Sequence, residues 1–357
     1  MKMSKLRVAV DAMGGDLAPG AIVEGAVAAL NEHPELMLIL LGKEDAVRAE
    51  LKKYKYDESG VQVVHCTEVI EMAEAPVNAI SKKKDSSIVR GLTMVRKGEA
   101  DCFVSAGSTG AILVGGQVIV GRLKGVDRPP LGALIPTEKG FSLLIDCGAN
   151  MDARPEWLVQ FAQMGTVYMK HAMKIADPKV GIVNVGAEEE KGNALVKETF
   201  PLLRACPDIH FIGSVEARDI PAGAADVIVT DAFSGNLIMK MYEGVAGTLL
   251  KVIKGTLKSS VPGMIGGALI KKPLKTALKD FDASRYGGAP LLGLKGLVVK
   301  AHGSSKAVEI KNAVAQCALF YKEDVNGKIR ILMEEQAEKQ RLAKKAAKEA
   351  ETSKEQS

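Results

Sequence analysis

Short apolar runs that end in loops of glycine and small polar residues recur along this chain, and they limit its fold more than any other feature. Leu6–Val10, Leu36–Leu41, Val61–Val64, Cys102–Val104, Leu143–Ile145, Val180–Val183, His210–Ile212 and Val227–Val229 have the length and continuous apolar character of strands. Amphipathic stretches lie between many of them, including Ala21–Asn31, Ser86–Lys97, Glu156–Lys174 and Ala194–Arg204. A strand that is apolar at every residue has no solvent face, so both its faces need cover, and alternating helices supply it. The pattern predicts an α/β fold on a doubly wound, mostly parallel sheet. Pro19 sits where the first turn of a helix tolerates proline. Leu131–Ile135 and Phe141–Ile145 flank Pro136-Thr-Glu-Lys-Gly140 and predict a hairpin added to the sheet, and Ser305–Tyr321 predicts a closing core-facing helix.

Residues 1–333 are expected to form one catalytic unit. Any division into two lobes falls near 130–150, where no linker composition marks it. Residues 334–357 are charged, alanine-rich and short of large apolar side chains, which predicts a fraying helix and then a disordered tail.

Composition narrows the function. The chain has 357 residues, 47% of them hydrophobic and only 4% aromatic, so a large core must be built from aliphatic side chains and Met. A formal charge of +5 is mild for this length, and the aromatic and basic interleaving of a nucleic-acid reader is missing. The five cysteines (Cys66, Cys102, Cys147, Cys206, Cys317) form no C-x-x-C pair and mostly sit in apolar runs, which predicts buried free thiols in a reducing compartment. MKMSKLRVAV leads directly into a strand, and no run reaches the ~18 apolar residues of a membrane span. The expectation is a cytoplasmic protein, at most attached to a membrane surface.

In doubly wound sheets, ligands bind beyond the carboxyl ends of the strands. Five predicted strand ends carry comparable loops: Asp11-Ala-Met-Gly14-Gly15-Asp16, Ser105-Ala-Gly107-Ser108-Thr109-Gly110, Asp146-Cys-Gly-Ala-Asn150, the Asn184–Gly192 loop, and Thr230-Asp231-Ala-Phe-Ser234-Gly235-Asn236. Glycine lets the backbone approach a ligand, while hydroxyls, amides and free N–H groups bind anions. Five such loops predict a shared anion-binding cleft. There is no G-x-G, no G-x-x-x-x-G-K-[ST], no G-x-S-x-G and no H-E-x-x-H, so nucleotide, serine-hydrolase and zinc signatures are absent.

Without a Ser–His or Cys–His pair, direct transfer is favoured: the cleft binds an anionic nucleophile and polarises a carbonyl with N–H donors and a cation. Lys191 and Lys240, each just after a site loop, are the candidate cations. Lys191 equally suits a solvated helix start paired with the preceding glutamates. Asp11, Asp16, Asp146 and Asp231 could orient groups or bind a metal, although single aspartates at strand ends are more often helix N-caps or loop anchors. His302, followed by Gly-Ser304-Ser, could serve as acid/base, as a phosphate ligand or as a cap of the last helix.

Taken in order, DAMGGD (11–16), VSAGSTGA (104–111), DCGAN (146–150), the 184–192 loop, TDAFSGN (230–236), YGGAPLLG (286–293, with Tyr286, Gly287 and Gly288) and KAHGSS (300–305) resemble the PlsX-type phosphate acyltransferases of bacterial phospholipid synthesis. The chain departs from that pattern with Ser108 for asparagine, Ala232 for glycine, and one extra residue in the 184–192 loop. The resemblance implies a fold related to phosphate acetyltransferases and decarboxylating dehydrogenases. It implies conversion of acyl–acyl carrier protein and inorganic phosphate to acyl phosphate and free carrier, with no metal or cofactor required. It also implies a homodimer that supplies acyl phosphate to a membrane glycerol-3-phosphate acyltransferase. A short-chain enzyme using coenzyme A thioesters, a decarboxylating dehydrogenase and a non-catalytic membrane scaffold are the alternatives.

Residues 251–279 hold seven lysines and no acidic residue around the apolar, glycine-rich Val261–Ile270. Val261, Met264, Ile265 and Leu269, flanked by Lys258, Lys271 and Lys272, predict an exposed apolar tip suited to an anionic membrane surface. Steering of an acidic carrier protein and a plain dimer interface are the other readings.

Overall fold

The computed structural model describes residues 5–277 and 287–355. The predicted strands are present and mostly parallel, but they are divided between two sheets. In the first sheet, β1 (Leu6–Asp11), β2 (Leu36–Gly42), β3 (Val61–His65) and β4 (Cys102–Ser105) are joined by the late strands β10 (Ala289–Leu291) and β11 (Leu297–Lys300), in the order β10-β11-β4-β1-β2-β3. In the second, β5 (Gly132–Thr137), β6 (Gly140–Ile145), β7 (Lys179–Asn184), β8 (His210–Glu216) and β9 (Val227–Val229) follow the order β5-β6-β9-β7-β8. Only the β5–β6 and β10–β11 pairs are antiparallel. The first of these is the predicted hairpin. The second lay outside the strand pattern read from sequence, because β10 has three residues with Pro290 at its centre and β11 has four.

The helices are α1 (Gly20–Glu32), α2 (Glu44–Leu51), α3 (Pro76–Lys82), α4 (Ser87–Lys97), α5 (Thr109–Gly115), α6 (Pro155–His171), α7 (Ala194–Arg204), α8 (Ala232–Lys258), α9 (Val261–Ala277), α10 (Ala307–Lys322) and α11 (Val325–Glu355). Successive strand residues point to opposite faces, which explains the continuous apolar runs. Val8 and Val10 pack in the core layer that holds Val23, Val27, Ile310 and Val314 of α1 and α10. Ala9, between them, packs in the layer that holds Ile88, Leu92 and Ile112 of α4 and α5. All five cysteines are free thiols, four of them buried.

The last helix, α11, runs from Val325 to Glu355. Its first turns are anchored by buried Val325, Ile329 and Met333. Beyond them, strong helix formers and pairs such as Arg341–Glu338 (2.7 Å) favour continuing the helix. Among the described residues no helix is long and apolar enough to cross a membrane.

Candidate active site

The glycine-rich loops gather at the carboxyl ends of the two sheets, in one cluster per sheet. In the first sheet Val10 pairs with Val104 and Ser105 with Lys300, so Asp11, Ser105 and Lys300 fall in one row across β1, β4 and β11. Asp11 is fully buried and accepts hydrogen bonds from Ser105 Oγ (2.6 Å) and the Met13 N–H (3.1 Å). Burial pushes its carboxyl pKa up, and donors on Ser105, Ser87, Met13 and Gly14 oppose that rise. Gly14 has to be glycine here: a Cβ would stand 2.3 Å from Asp11 Oδ2 and 2.6 Å from the Gly107 nitrogen.

The 11–16 and 300–305 loops are joined by Asp16 N–H donating to the Gly303 carbonyl (2.8 Å), with Gly15 at φ +97° packed beneath it. Gly107 N–H donates to Ser105 Oγ (3.0 Å), and Ser108 caps α5 by accepting from the Ala111 N–H (3.4 Å), with Thr109 next in the helix. A serine at 108 therefore does a cap's work. His302 is exposed, its Nδ1 2.8 Å from Ser304 Oγ, and it does not cap α10. That cap is Lys306, whose N–H donates to Glu309 Oε2 (2.8 Å).

In the second sheet Asp146 is buried and accepts from the N–H groups of Leu131 (3.0 Å), Gly148 (3.1 Å), Ala149 (3.0 Å) and Asn150 (2.9 Å) and from Asn150 Nδ2 (2.7 Å). Burial raises its pKa and these donors oppose the rise. Asn150 also donates to the Pro129 carbonyl (3.1 Å). Asp146 and Asn150 thus hold the loop together, which is the anchoring role among the two left open by sequence. Asp231 likewise caps α8, accepting from Ser234 N–H and Oγ, both at 2.9 Å. Gly235 lies directly against the Asp146 carbonyl, and Asn236 Nδ2 approaches Gly148. Asn184 donates to the Lys191 carbonyl (3.2 Å) and Ser214 Oγ (3.0 Å), which closes the 184–192 loop on itself.

A cavity of about 560 Å³ opens among these loops. Its lining combines apolar side chains, chiefly Leu158, Ile182, Leu195, Val196, Leu237 and Ile238, with the polar or charged Asn184, Asn193, Glu216, Arg218, Thr230, Asp231 and Ser234. Neither predicted cation is buried in it. Lys191 is exposed and paired with Glu188 (2.7 Å), and Lys240 is exposed on α8. Tyr286 lies outside the described residues. Gly287 packs on the Asn312 backbone and Gly288 N–H donates to Gln316 Oε1 (3.2 Å), so both pin the start of β10 to α10. Lys300, absent from the candidates read off the sequence, is a buried lysine at a strand end. Its place in the KAHGSS segment was visible, but the strand that buries it was not.

The apolar stretch of the basic segment is helical. The turn of the α8–α9 hairpin is Ser259-Ser260, and Val261, Met264, Ile265 and Leu269 run along exposed α9. A second exposed series, Phe233, Leu237, Met241, Val245 and Leu249, runs along α8 and was missed. Its i, i+4 spacing is the signal that could have found it.

Over 324 residues the chain is 48% identical to the phosphate acyltransferase of Clostridium perfringens, covering 91% of this chain and 96% of that one. It is 47% identical over 326 residues to the phosphate acyltransferase of Clostridium botulinum, covering 91% and 98%. Residues 6–328 match the family described as fatty acid synthesis protein. The chain belongs to this acyltransferase family. Among solved structures, the acyltransferase is similar to a phosphotransacetylase from Streptococcus pyogenes, with a TM-score of 0.58, 20% identity, and coverage of 90% of this chain and 95% of that one. At that identity the likeness is one of fold, and it matches the predicted relation to phosphate acetyltransferases.

Proposed function

We propose that this acyltransferase moves the acyl group of a long-chain acyl–acyl carrier protein to inorganic phosphate, giving acyl phosphate and free carrier for phospholipid synthesis. The observation that carries this reading is the cavity at the carboxyl end of the second sheet, whose lining sets aliphatic side chains beside Asn184, Thr230, Asp231 and Ser234. A volume of about 560 Å³ is of the size that small-molecule sites use, and an aliphatic wall suits an acyl chain. Leu237 belongs both to that wall and to the exposed series along α8, so the apolar lining continues out of the cavity.

A phosphate oxygen attacks the thioester carbonyl carbon, the tetrahedral oxyanion collapses, the C–S bond breaks, and the carrier leaves as thiolate. N–H donors stabilise the oxyanion, and a good leaving group asks little of a general acid. Asn236, whose amide has no hydrogen-bond partner among the described residues, is the proposed donor to the carbonyl. Lys191, next in sequence to the lining residue Gly192, is the proposed cation, with Lys240 and His302 as further candidates. The protein incubated with long-chain acyl carrier protein and phosphate is expected to yield acyl hydroxamate on trapping with hydroxylamine, in step with release of carrier thiol. No hydroxamate above a phosphate-free control would sink the proposal. A stronger signal from coenzyme A thioesters would move it to short-chain chemistry.

The same reading places a homodimer on an anionic membrane surface, next to the glycerol-3-phosphate acyltransferase that consumes the product. Its support is the α8–α9 hairpin, where exposed Met264, Ile265 and Leu269 share a helix with Lys271 and Lys272. Wild-type protein is expected to co-sediment with anionic liposomes, and the double variant Met264→Asp, Ile265→Asp to stay in the supernatant. Equal sedimentation of the two would exclude the hairpin as the lipid contact.

A further inference from the structure

Lys300 is 8% exposed and closes the row Asp11–Ser105–Lys300 at the carboxyl end of the first sheet. Its ammonium donates to the Ala301 carbonyl, and among the described residues Asp11 and Asp16 act on it as nearby charges without forming an ion pair with it. A buried ammonium without an ion pair is costly, and a methionine of similar length would fill the same space at no desolvation cost. An ammonium has three donors, so two remain for a ligand. Of the loops that follow the three strands, Asp16 is exposed and Thr109 and Gly303 are half-buried, so this edge of the sheet reaches solvent. Glycines at 15, 107 and 303 keep Cβ atoms out of that region.

We propose that Lys300 is the cation of a phosphate-binding site at the carboxyl edge of the first sheet. The inference rests on the reading of inorganic phosphate as co-substrate and assigns it a place. Asp11 and Ser105 are positioning residues: they hydrogen-bond to each other (2.6 Å), and Ser105 pairs in register with Lys300 on the next strand. The charged groups facing Lys300 are Asp11, from β1, and Asp16, from the loop after it, while β4 contributes the neutral Ser105. Burial lowers the Lys300 pKa to about 8 against the opposing pull of these two carboxylates. The sign follows: the ammonium is present below that pH and is lost as pH rises through it, so phosphate affinity falls above about 8.

The test is titration of the full chain with inorganic phosphate, followed by calorimetry or phosphorus NMR, for the wild type and for Lys300→Met. Loss of a charge-assisted contact is expected to weaken phosphate binding about 10- to 100-fold. Affinity of the variant for the acyl thioester should be unchanged, and its melting temperature should be no lower than wild type. Wild-type affinity should fall as pH rises above about 8, where phosphate itself no longer changes charge appreciably, and the variant should lose that dependence. Equal phosphate affinity in a folded Lys300→Met variant overturns the proposal, as does a wild type that binds no phosphate. If the variant does not fold, a wild-type affinity that is flat above pH 8 overturns it. Acyl phosphate formed by Lys300→Met with an unchanged phosphate KM leaves the reaction standing and removes Lys300 from it. Phosphate binding that depends on Lys300, with no acyl phosphate formed, does the reverse.

Discussion

Replacing Gly235 by alanine is expected to destabilise the protein by about 3 kcal/mol or more, lowering the melting temperature by roughly 5–10 °C. A Cβ at this position would stand 1.8 Å from the Asp146 carbonyl oxygen, which belongs to the backbone and cannot rotate away. The first turn of α8 would have to leave the 146–150 loop, carrying Asn236 and the Ser234 side of the cavity rim with it. Acyl transfer should therefore fall together with stability. Gly244 supplies the control: it lies in the same helix with nothing near its Cβ position. There alanine should stabilise by about 0.5–1 kcal/mol, since only the backbone entropy of glycine is removed. Thermal denaturation of the two variants decides the matter. A Gly235→Ala protein melting within about a degree of wild type would show that this helix–loop contact is not what holds the rim.

Asp146→Ala is expected to cost roughly 3–5 kcal/mol, because it removes the acceptor for five N–H donors in a buried loop. Asp146→Asn should cost less, since one oxygen remains, but its amide then points hydrogen at donors. Both variants should lose acyl transfer, because Asn150 loses its anchor and the Ala232 N–H at the start of α8 donates to the Asn150 carbonyl (3.0 Å). Urea denaturation with an unchanged m-value measures the effect. An Asp146→Ala midpoint equal to wild type would mean that the loop is held by its other contacts alone.

Much of this architecture is legible in the residues. Leu6–Val10 and Leu36–Leu41 are too apolar to face solvent, and their pairing as the parallel strands β1 and β2 follows from that. Asp231 and Ser234 stand at the spacing of a helix cap, and they form one. Asp11 and Asp146 look alike in sequence, each ending an apolar run before a glycine loop, yet their neighbours differ. Asp146 is surrounded by N–H groups from within 15 residues or fewer, whereas Asp11 is met by Ser105 from 94 residues away. Lys191 follows a loop and three glutamates, and that neighbourhood is what pairs it with Glu188 in solvent. Lys300 is not legible in the same way, because β11, which buries it, has only four residues.

The sequence alone determined the layered α/β class, the strand-end loops and the family, since period, turn chemistry and ordered motifs are local properties of the chain. Tertiary structure decided how the strands divide between two sheets, which aspartates serve as anchors, and which lysine is buried at a strand end. These depend on register between distant strands: pairing Lys300 with Ser105 is what removes its ammonium from water and sets it beside Asp11. Desolvation of a charge is a property of everything packed around it, and no local run of residues encodes it.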